Sequence, residues 1–304
     1  MDKILVIYVL FGIIKSLRFA EPFLTPILER KGFDNYDIYN SIYPVSTYSY
    51  TVFILLTVFT TKIFSFKYMM LIEISFMALT YILIYLGKSV VHMQLMQFVY
   101  GFASSYSVAY SSFLYDLIGS ERYLEYTGTI KAATLFGHIV ASLTGQILVE
   151  FGCKFDTLTI ITCICLIFGM LFWFNFLWCK TSSKTSTERS ELYFDLEIAC
   201  LLAAVTLSFL TLWYVEGFSS NIWKELDKSV IKNGAVDALA RGFAFFCTVF
   251  VHRIPPSIVY SCLLISFTLM ISIRNIYVAY VTFCIIVGCL SYIFSFSCSR
   301  LAER

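Results

Sequence analysis

Charge and hydroxyl groups fall inside apolar stretches of this chain at a few defined places. The first is Lys15, Arg18 and Glu21, at spacing three, within an otherwise apolar run from Ile4 to Leu28 that also holds Pro22 and Pro26. A charge at the centre of a bilayer costs about 2.5–3.5 kcal/mol on insertion scales, so such groups pair or face water and mark candidate sites. On a continuous helix, spacing three places them along one face. The two prolines remove helix donors and invite an irregular turn, tolerable only where protein shields it from lipid. Arg18 and Glu21 are close enough in sequence to form an internal salt bridge, and that packing role stands beside a role in a polar path. A second set is Lys131 and His138, seven apart and therefore two turns apart on one helix face. Lys131 needs an anion, a partner or an outlet to water. His138 reads more simply as a hydrogen-bonded packing histidine. A third set is Asn233, Asp237 and Arg241, where Asp237 and Arg241 stand four apart and pair internally. Aromatic hydroxyls complete the inventory. Tyr43 opens Tyr43-Pro-Val-Ser-Thr-Tyr-Ser-Tyr50, and Tyr106 and Tyr110 share a face in a serine-rich stretch. Such rings suit a flat heteroaromatic ligand, although tyrosine is also common at membrane interfaces.

This chemistry is binding and charge compensation, not catalysis. The sequence has no HExxH, GxSxG or Walker loop. Its ten cysteines form no CxxC pair, and its three histidines lie far apart, so neither a zinc site nor any other cofactor is called for. The formal net charge of +2 gives no reason to invoke nucleic acid.

The elements that must position these residues are membrane helices. Hydrophobic residues make up 59% and charged residues 14% of the chain, with mean hydropathy +0.79, against roughly 45–50% and about 25% in soluble domains. Stretches of ~20 apolar residues recur ten times, at about 4–28, 42–64, 68–87, 92–118, 127–150, 155–178, 196–215, 230–252, 256–273 and 276–298. The expected fold is therefore an all-α polytopic transmembrane bundle. A polar stretch, Lys180-Thr-Ser-Ser-Lys-Thr-Ser-Thr-Glu-Arg189, divides it into an N-terminal six-helix bundle (1–179), a linker (180–195) and a four-helix C-terminal part (196–304). The positive-inside rule puts the N-terminus and this linker in the cytoplasm. Lys3 and the apolar run after it have the look of a signal peptide. However, Arg18 stands where cleavage after Ala20 needs a small residue, so the segment reads as a retained span.

In order and at compatible spacing, the motifs resemble the reduced folate carrier family, the vitamin-carrying branch of the major facilitator architecture. The resemblance is carried by Arg18-Phe-Ala-Glu-Pro-Phe-Leu-Thr-Pro26, Pro44-Val-Ser-Thr-Tyr-Ser-Tyr50, Gly87-Lys-Ser-Val-Val-His-Met-Gln94 and Ala109-Tyr-Ser-Ser112. It continues through Lys131-Ala-Ala-Thr-Leu-Phe-Gly137, Gly145-Gln-Ile-Leu-Val149, Asn233-Gly-Ala-Val-Asp-Ala238 and Asn275-Ile-Tyr-Val-Ala-Tyr280. It implies a twelve-helix carrier in which two halves rock about a central site. It implies substrate contacts at Glu21, Tyr43, Tyr110, Lys131 (where the family has an arginine) and Asn233. Arg18, Asp237, Arg241 and His138 would then serve gating or charge balance. The implied partner is a small vitamin, folate or thiamine, and the implied location is the plasma membrane, multi-pass.

Several details look like folate members: Phe23-Leu-Thr-Pro26, Ala109-Tyr-Ser-Ser112 and Asp237. Thiamine carriers tend to have tryptophan at Ser46 and glutamate at Ser107, and a cationic vitamin would want that carboxylate. Folate carriers have arginine at Ser107 and a basic residue near Val287, both missing here. The sequence ends at Arg304, where an eleventh helix is expected, and its tenth span reads as shortened. The expectation is a folate-type secondary transporter. A thiamine transporter of the same family, or a truncated membrane protein that does not transport, stands as the alternative.

Overall fold

The computed structural model describes residues 3–61, 63–117, 123–177, 196–226, 232–251 and 253–302. Among them every regular element is helical. The helices are α1 (Lys3–Lys15), α2 (Leu24–Arg30), α3 (Tyr43–Thr60), α4 (Phe66–Leu86), α5 (Val90–Ser105) and α6 (Val108–Leu117). They are followed by α7 (Tyr123–Glu150), α8 (Phe155–Leu177), α9 (Leu196–Leu226), α10 (Asn233–Val249), α11 (Pro256–Ser272) and α12 (Ile276–Ala302). Among the described residues five segments are long and apolar enough to cross a membrane: Phe66–Leu86, Tyr126–Glu150, Phe155–Leu177, Glu197–Ser219 and Ile276–Leu301.

Two of the expected spans are broken, each for a local reason. The first divides into α1 and α2. The backbone turns after Lys15, and a short 3-10 turn over Glu21–Phe23 follows, with Pro22 in its first positions. Pro26 then falls in the first turn of α2, where its missing N–H costs least. The fourth divides into α5 and α6. Here Tyr106, Ser107, Ala109 and Tyr110 donate to carbonyls three residues back, not four. That tighter winding interrupts the α-helix without ending the hydrogen-bond chain. Elsewhere the spans are longer than expected. α9 continues to Leu226, and α12 covers 27 residues, about 40 Å of helix, so the last span is not shortened.

The chain divides into two compact units: Met1–Leu117 with Val140–Ser182, and Ile118–Ile139 with Ser183–Arg304. α7 thus contributes its first part to the second unit and its last part to the first.

In the first unit α8 packs against both α1 and α4. Trp173 is fully buried, with its ring 4.4 Å from Phe11 and 4.9 Å from Phe176. Its Nε1 donates to the Lys67 carbonyl at 2.9 Å, so one side chain ties α8 to α1 and to the start of α4. At the opposite end α2 and α7 each stop at a glycine with positive φ, Gly32 (94°) and Gly152 (80°). In both, the glycine N–H and the next N–H reach back to carbonyls three and five residues earlier, a closing pattern that needs the left-handed backbone glycine allows. Lys31 then donates to the carbonyls of Tyr85 and Gly87 at the end of α4, both at 3.0 Å. Burial holds its ammonium below its ordinary range, with Asp156 pulling the other way.

In the second unit α12 is the central element. Its Ala279, Phe283 and Val287 pack with Val236, Ala240 and Ala244 of α10, with Trp223 of α9 and with Leu135 of α7.

Candidate functional site

The turn after α1 gathers most of the charge in the first unit. The three charged residues do not lie along one helix face as spacing three suggests, because α1 ends at Lys15 and the chain turns. Lys15 instead reaches across to α4. Its Nζ is 2.8 Å from Glu73 Oε1, and their side chains are 12% and 9% exposed. The same ammonium lies 4.2 Å from the centroid of the Tyr110 ring. A cation so placed gains from the ring face and the carboxylate together.

Arg18 pairs with Glu21, Nη1 to Oε1 at 3.2 Å, and also lies 3.9 Å from Met77 Sδ. Tyr100 of α5 donates its hydroxyl to the same Glu21 oxygen at 3.5 Å. Tyr81 and Tyr100 lie within electrostatic reach of Arg18. The packing role of the Arg18–Glu21 bridge is therefore observed, inside a wider polar cluster.

Tyr43 sits at the start of α3, where Pro44 sets the first turn. Its hydroxyl shares a 2.7 Å hydrogen bond with Thr25 Oγ1 of α2, and Tyr39 meets its ring edge-on at 5.5 Å. Tyr110 is buried. Its ring stacks on Tyr8 at 4.5 Å, and its hydroxyl donates to the Tyr8 carbonyl at 3.3 Å. The ring expected to stack on a substrate is therefore held between Tyr8 and Lys15 in this conformation.

The remaining expected residues lie in the second unit. Arg241 bridges two carboxylates, Glu216 of α9 at 2.8 Å and Asp237 at 3.4 Å. The Asp237–Arg241 pair read from spacing four is present, and Glu216 joins it. Asn233 is the first residue of α10, partly buried and two turns before Arg241. Lys131 is partly buried, with Nζ 5.1 Å from the Phe294 ring centroid. His138 is partly buried on the same helix. Among the described residues no group of three His, Cys, Asp or Glu is placed to hold a metal.

Sequence reasoning missed Glu73, Tyr100 and Glu216 as members of these clusters. Glu73 lies 58 residues from Lys15, and nothing local announces the pair. The available signal was Lys15 itself, which inside a span demands an anion.

Comparison with known proteins adds the following. The family model described as reduced folate carrier matches residues 1–195. Folate transporter 1 of Caenorhabditis elegans is 36% identical over 143 residues, 46% of this chain and 32% of its own length. Human thiamine transporter 1 is 33% identical over 169 residues, 54% and 34% of the two chains. The human reduced folate transporter is 34% identical over 172 residues, 55% and 29%. The matched part thus spans about a third of the length of these curated relatives. Among solved structures, the nucleoside transporter NupG superposes with TM-score 0.70 at 14% identity, covering 99% of this chain and 85% of that one. A bacterial homolog of the human lysosomal transporter Spinster, in an inward-facing and occupied state, gives 0.66 at 12%, covering 97% and 72%. At such identities the likeness is one of fold, an all-α membrane bundle of the major facilitator type.

Proposed function

The chain belongs to the reduced folate carrier family, and from that premise we propose that it moves a folate-type vitamin, an organic anion, across the plasma membrane by secondary transport. It is a multi-pass membrane protein of the same fold class as the transporters it superposes on. The observation that carries the reading is the match over residues 1–195, because that segment contains the cluster of Lys15, Arg18, Glu21, Glu73, Tyr43, Tyr100 and Tyr110. In this reading Glu21, Tyr43, Tyr110, Lys131 and Asn233 are the residues that meet the substrate. Arg18, Asp237, Arg241 and His138 serve gating and charge balance. Tyr110 must then leave Tyr8 before it can grip a ring.

A thiamine carrier is the second reading. The thiamine transporters among the relatives favour it, at 33% identity for the human protein. Ser107 offers neither a carboxylate to a cationic vitamin nor a cation to an anionic one, and the anion reading rests on the cations Lys15, Arg18 and Lys131.

The test is uptake of labelled folic acid and labelled thiamine in cells lacking their own carriers. Folic acid uptake above the empty-vector level, competed by unlabelled reduced folate, is the expected result. Thiamine uptake alone would replace the substrate, and uptake of neither would remove the carrier reading.

A further inference from the structure

Lys15 and Glu73 are not equivalent partners. The Lys15 ammonium has two favourable neighbours, Glu73 Oε1 at 2.8 Å and the Tyr110 ring at 4.2 Å. It also lies in the last turn of α1, where a cation is favoured by the carbonyl ends of the helix. Glu73 spends one oxygen on Lys15. Its second oxygen, Oε2, is buried and has no hydrogen-bond partner among the described residues. A buried carboxylate oxygen left unsatisfied is costly while the group is ionised. Lys15 thus has favourable neighbours besides Glu73, whereas Oε2 of Glu73 has no hydrogen-bond partner among the described residues, and the other cation near Glu73 is Arg18.

The charged and titratable groups facing Glu73 come from several elements. α1 and the turn after it supply Lys15 and Arg18, and α6 supplies Tyr110. Glu21 and Tyr100 of α5 stand behind Arg18. α8 meets this level of α4 at Gly169, against Ile74. The one charged residue of α8, Asp156, lies more than three turns further along it, about 20 Å away. With Glu73 ionised, the cations Lys15 and Arg18 balance the anions Glu21 and Glu73. With Glu73 protonated, the cluster carries one positive charge.

We propose that Glu73 is the proton-binding site of this protein, and that its protonation opens the Lys15–Glu73 pair and leaves Lys15 as the counter-charge for an anionic substrate. The proton comes from the aqueous face and adds to Oε2, and no other bond is made or broken. Lys15 keeps the Tyr110 ring and the end of α1 until the anion arrives. Proton and anion then bind with positive linkage, each raising the affinity of the other by the same factor. The coupling rests on the carrier reading above; the proton site does not.

The experiment has one arm for each. First, the ligand-free full chain in detergent is acidified, and infrared difference spectra are recorded. Among the carbonyl-stretch bands of the carboxylic acids that form as the chain's 20 Asp and Glu side chains take up protons, one is expected in the wild type and absent in Glu73→Gln. The same band in the variant overturns the proposal. Should Glu73→Gln fail to melt cooperatively, the Lys15→Met/Glu73→Gln double variant, which removes both charges, takes its place with the same criterion. Second, folic acid binding is followed by calorimetry in buffers of different ionisation enthalpy. The expected result is uptake of up to one proton per folic acid, with affinity rising by up to about tenfold per pH unit as the pH falls, and neither effect in the variant. Folic acid binding without proton uptake overturns the coupling. No folic acid binding, with the infrared band assigned to Glu73, overturns the folate reading and leaves the proton site standing.

Discussion

Two glycines show how much a single residue depends on what faces it. A Cβ on Gly101 of α5 would lie 2.5 Å from the Ser46 carbonyl oxygen and 2.8 Å from the Tyr50 nitrogen, and it would collide with Ser49 Oγ. Two of those three atoms are backbone, which cannot turn aside. Gly217 of α9 has nothing within 4 Å of the same position. Gly101→Ala is therefore expected to separate α3 from α5 and cost roughly 1–3 kcal/mol as overpacking. Gly217→Ala is expected to stabilise by up to about 1 kcal/mol through helix propensity. Thermal melting of the purified variants in detergent reads both, and equal shifts would contradict the argument. At this scale the sequence was informative where partners are local. Asp237 and Arg241 could be paired by counting residues, and so could Arg18 and Glu21. Lys15 and Glu73 could not, because their pairing depends on α4 crossing the end of α1. Glu216 was hidden for the same reason, since its partner is supplied by α10.

Helix ends were legible where proline or glycine dictates them. The Pro22 and Pro26 region broke the first span as the missing donors suggest, and Pro44 and Pro256 open α3 and α11. The division between α5 and α6 was not legible. It rests on a change to tighter hydrogen bonds within a serine-rich run that is compatible with continuous helix. Between elements, two contacts carry specific weight. Trp173 fills the space between α1, α4 and α8, so Trp173→Ala is expected to cost about 3–5 kcal/mol. Trp173→Phe keeps most of the packing and loses the hydrogen bond to Lys67, about 1 kcal/mol. Both are read as lost melting temperature. Near-equal effects would place the weight on the hydrogen bond and not on packing. In the second unit, Arg241→Ala leaves Glu216 and Asp237 facing each other without their shared cation. The expected loss is about 2–3 kcal/mol, less than for fully buried pairs because Glu216 is 30% exposed. Adding Glu216→Gln and Asp237→Asn to Arg241→Ala is expected to recover most of it. No recovery would mean that Arg241 acts through packing alone.

At the scale of the molecule, composition and the recurrence of apolar stretches were enough to read a helical membrane bundle. The distribution of basic residues added an orientation, with the N-terminus and the linker cytoplasmic. The first unit collects one set of ends together. Lys31 holds the carbonyls that close α4, Arg30 lies 4.4 Å from the Phe155 ring at the start of α8, and Gly152 turns the chain just before it. The opposite set holds Lys67, whose carbonyl takes the Trp173 hydrogen bond and whose ammonium lies 4.9 Å from the Phe176 ring. The end of α8 lies on the Lys67 side, and in sequence it is followed by the basic residues Lys180, Lys184 and Arg189. By the positive-inside rule that side is cytoplasmic and the Lys31 side is external. A short epitope inserted after Gly152, between the exposed Phe151 and the start of α8, is therefore expected to bind antibody on intact cells. The same epitope after Ser65 is expected to bind only after permeabilisation. The orientation fixes only the route and not the sense of the proposed coupling: a proton from outside would reach Glu73 from the end capped by Lys31, and an anion that binds with it moves in the direction of the proton gradient. The reverse staining pattern would invert the chain and place the Lys31 side in the cytoplasm.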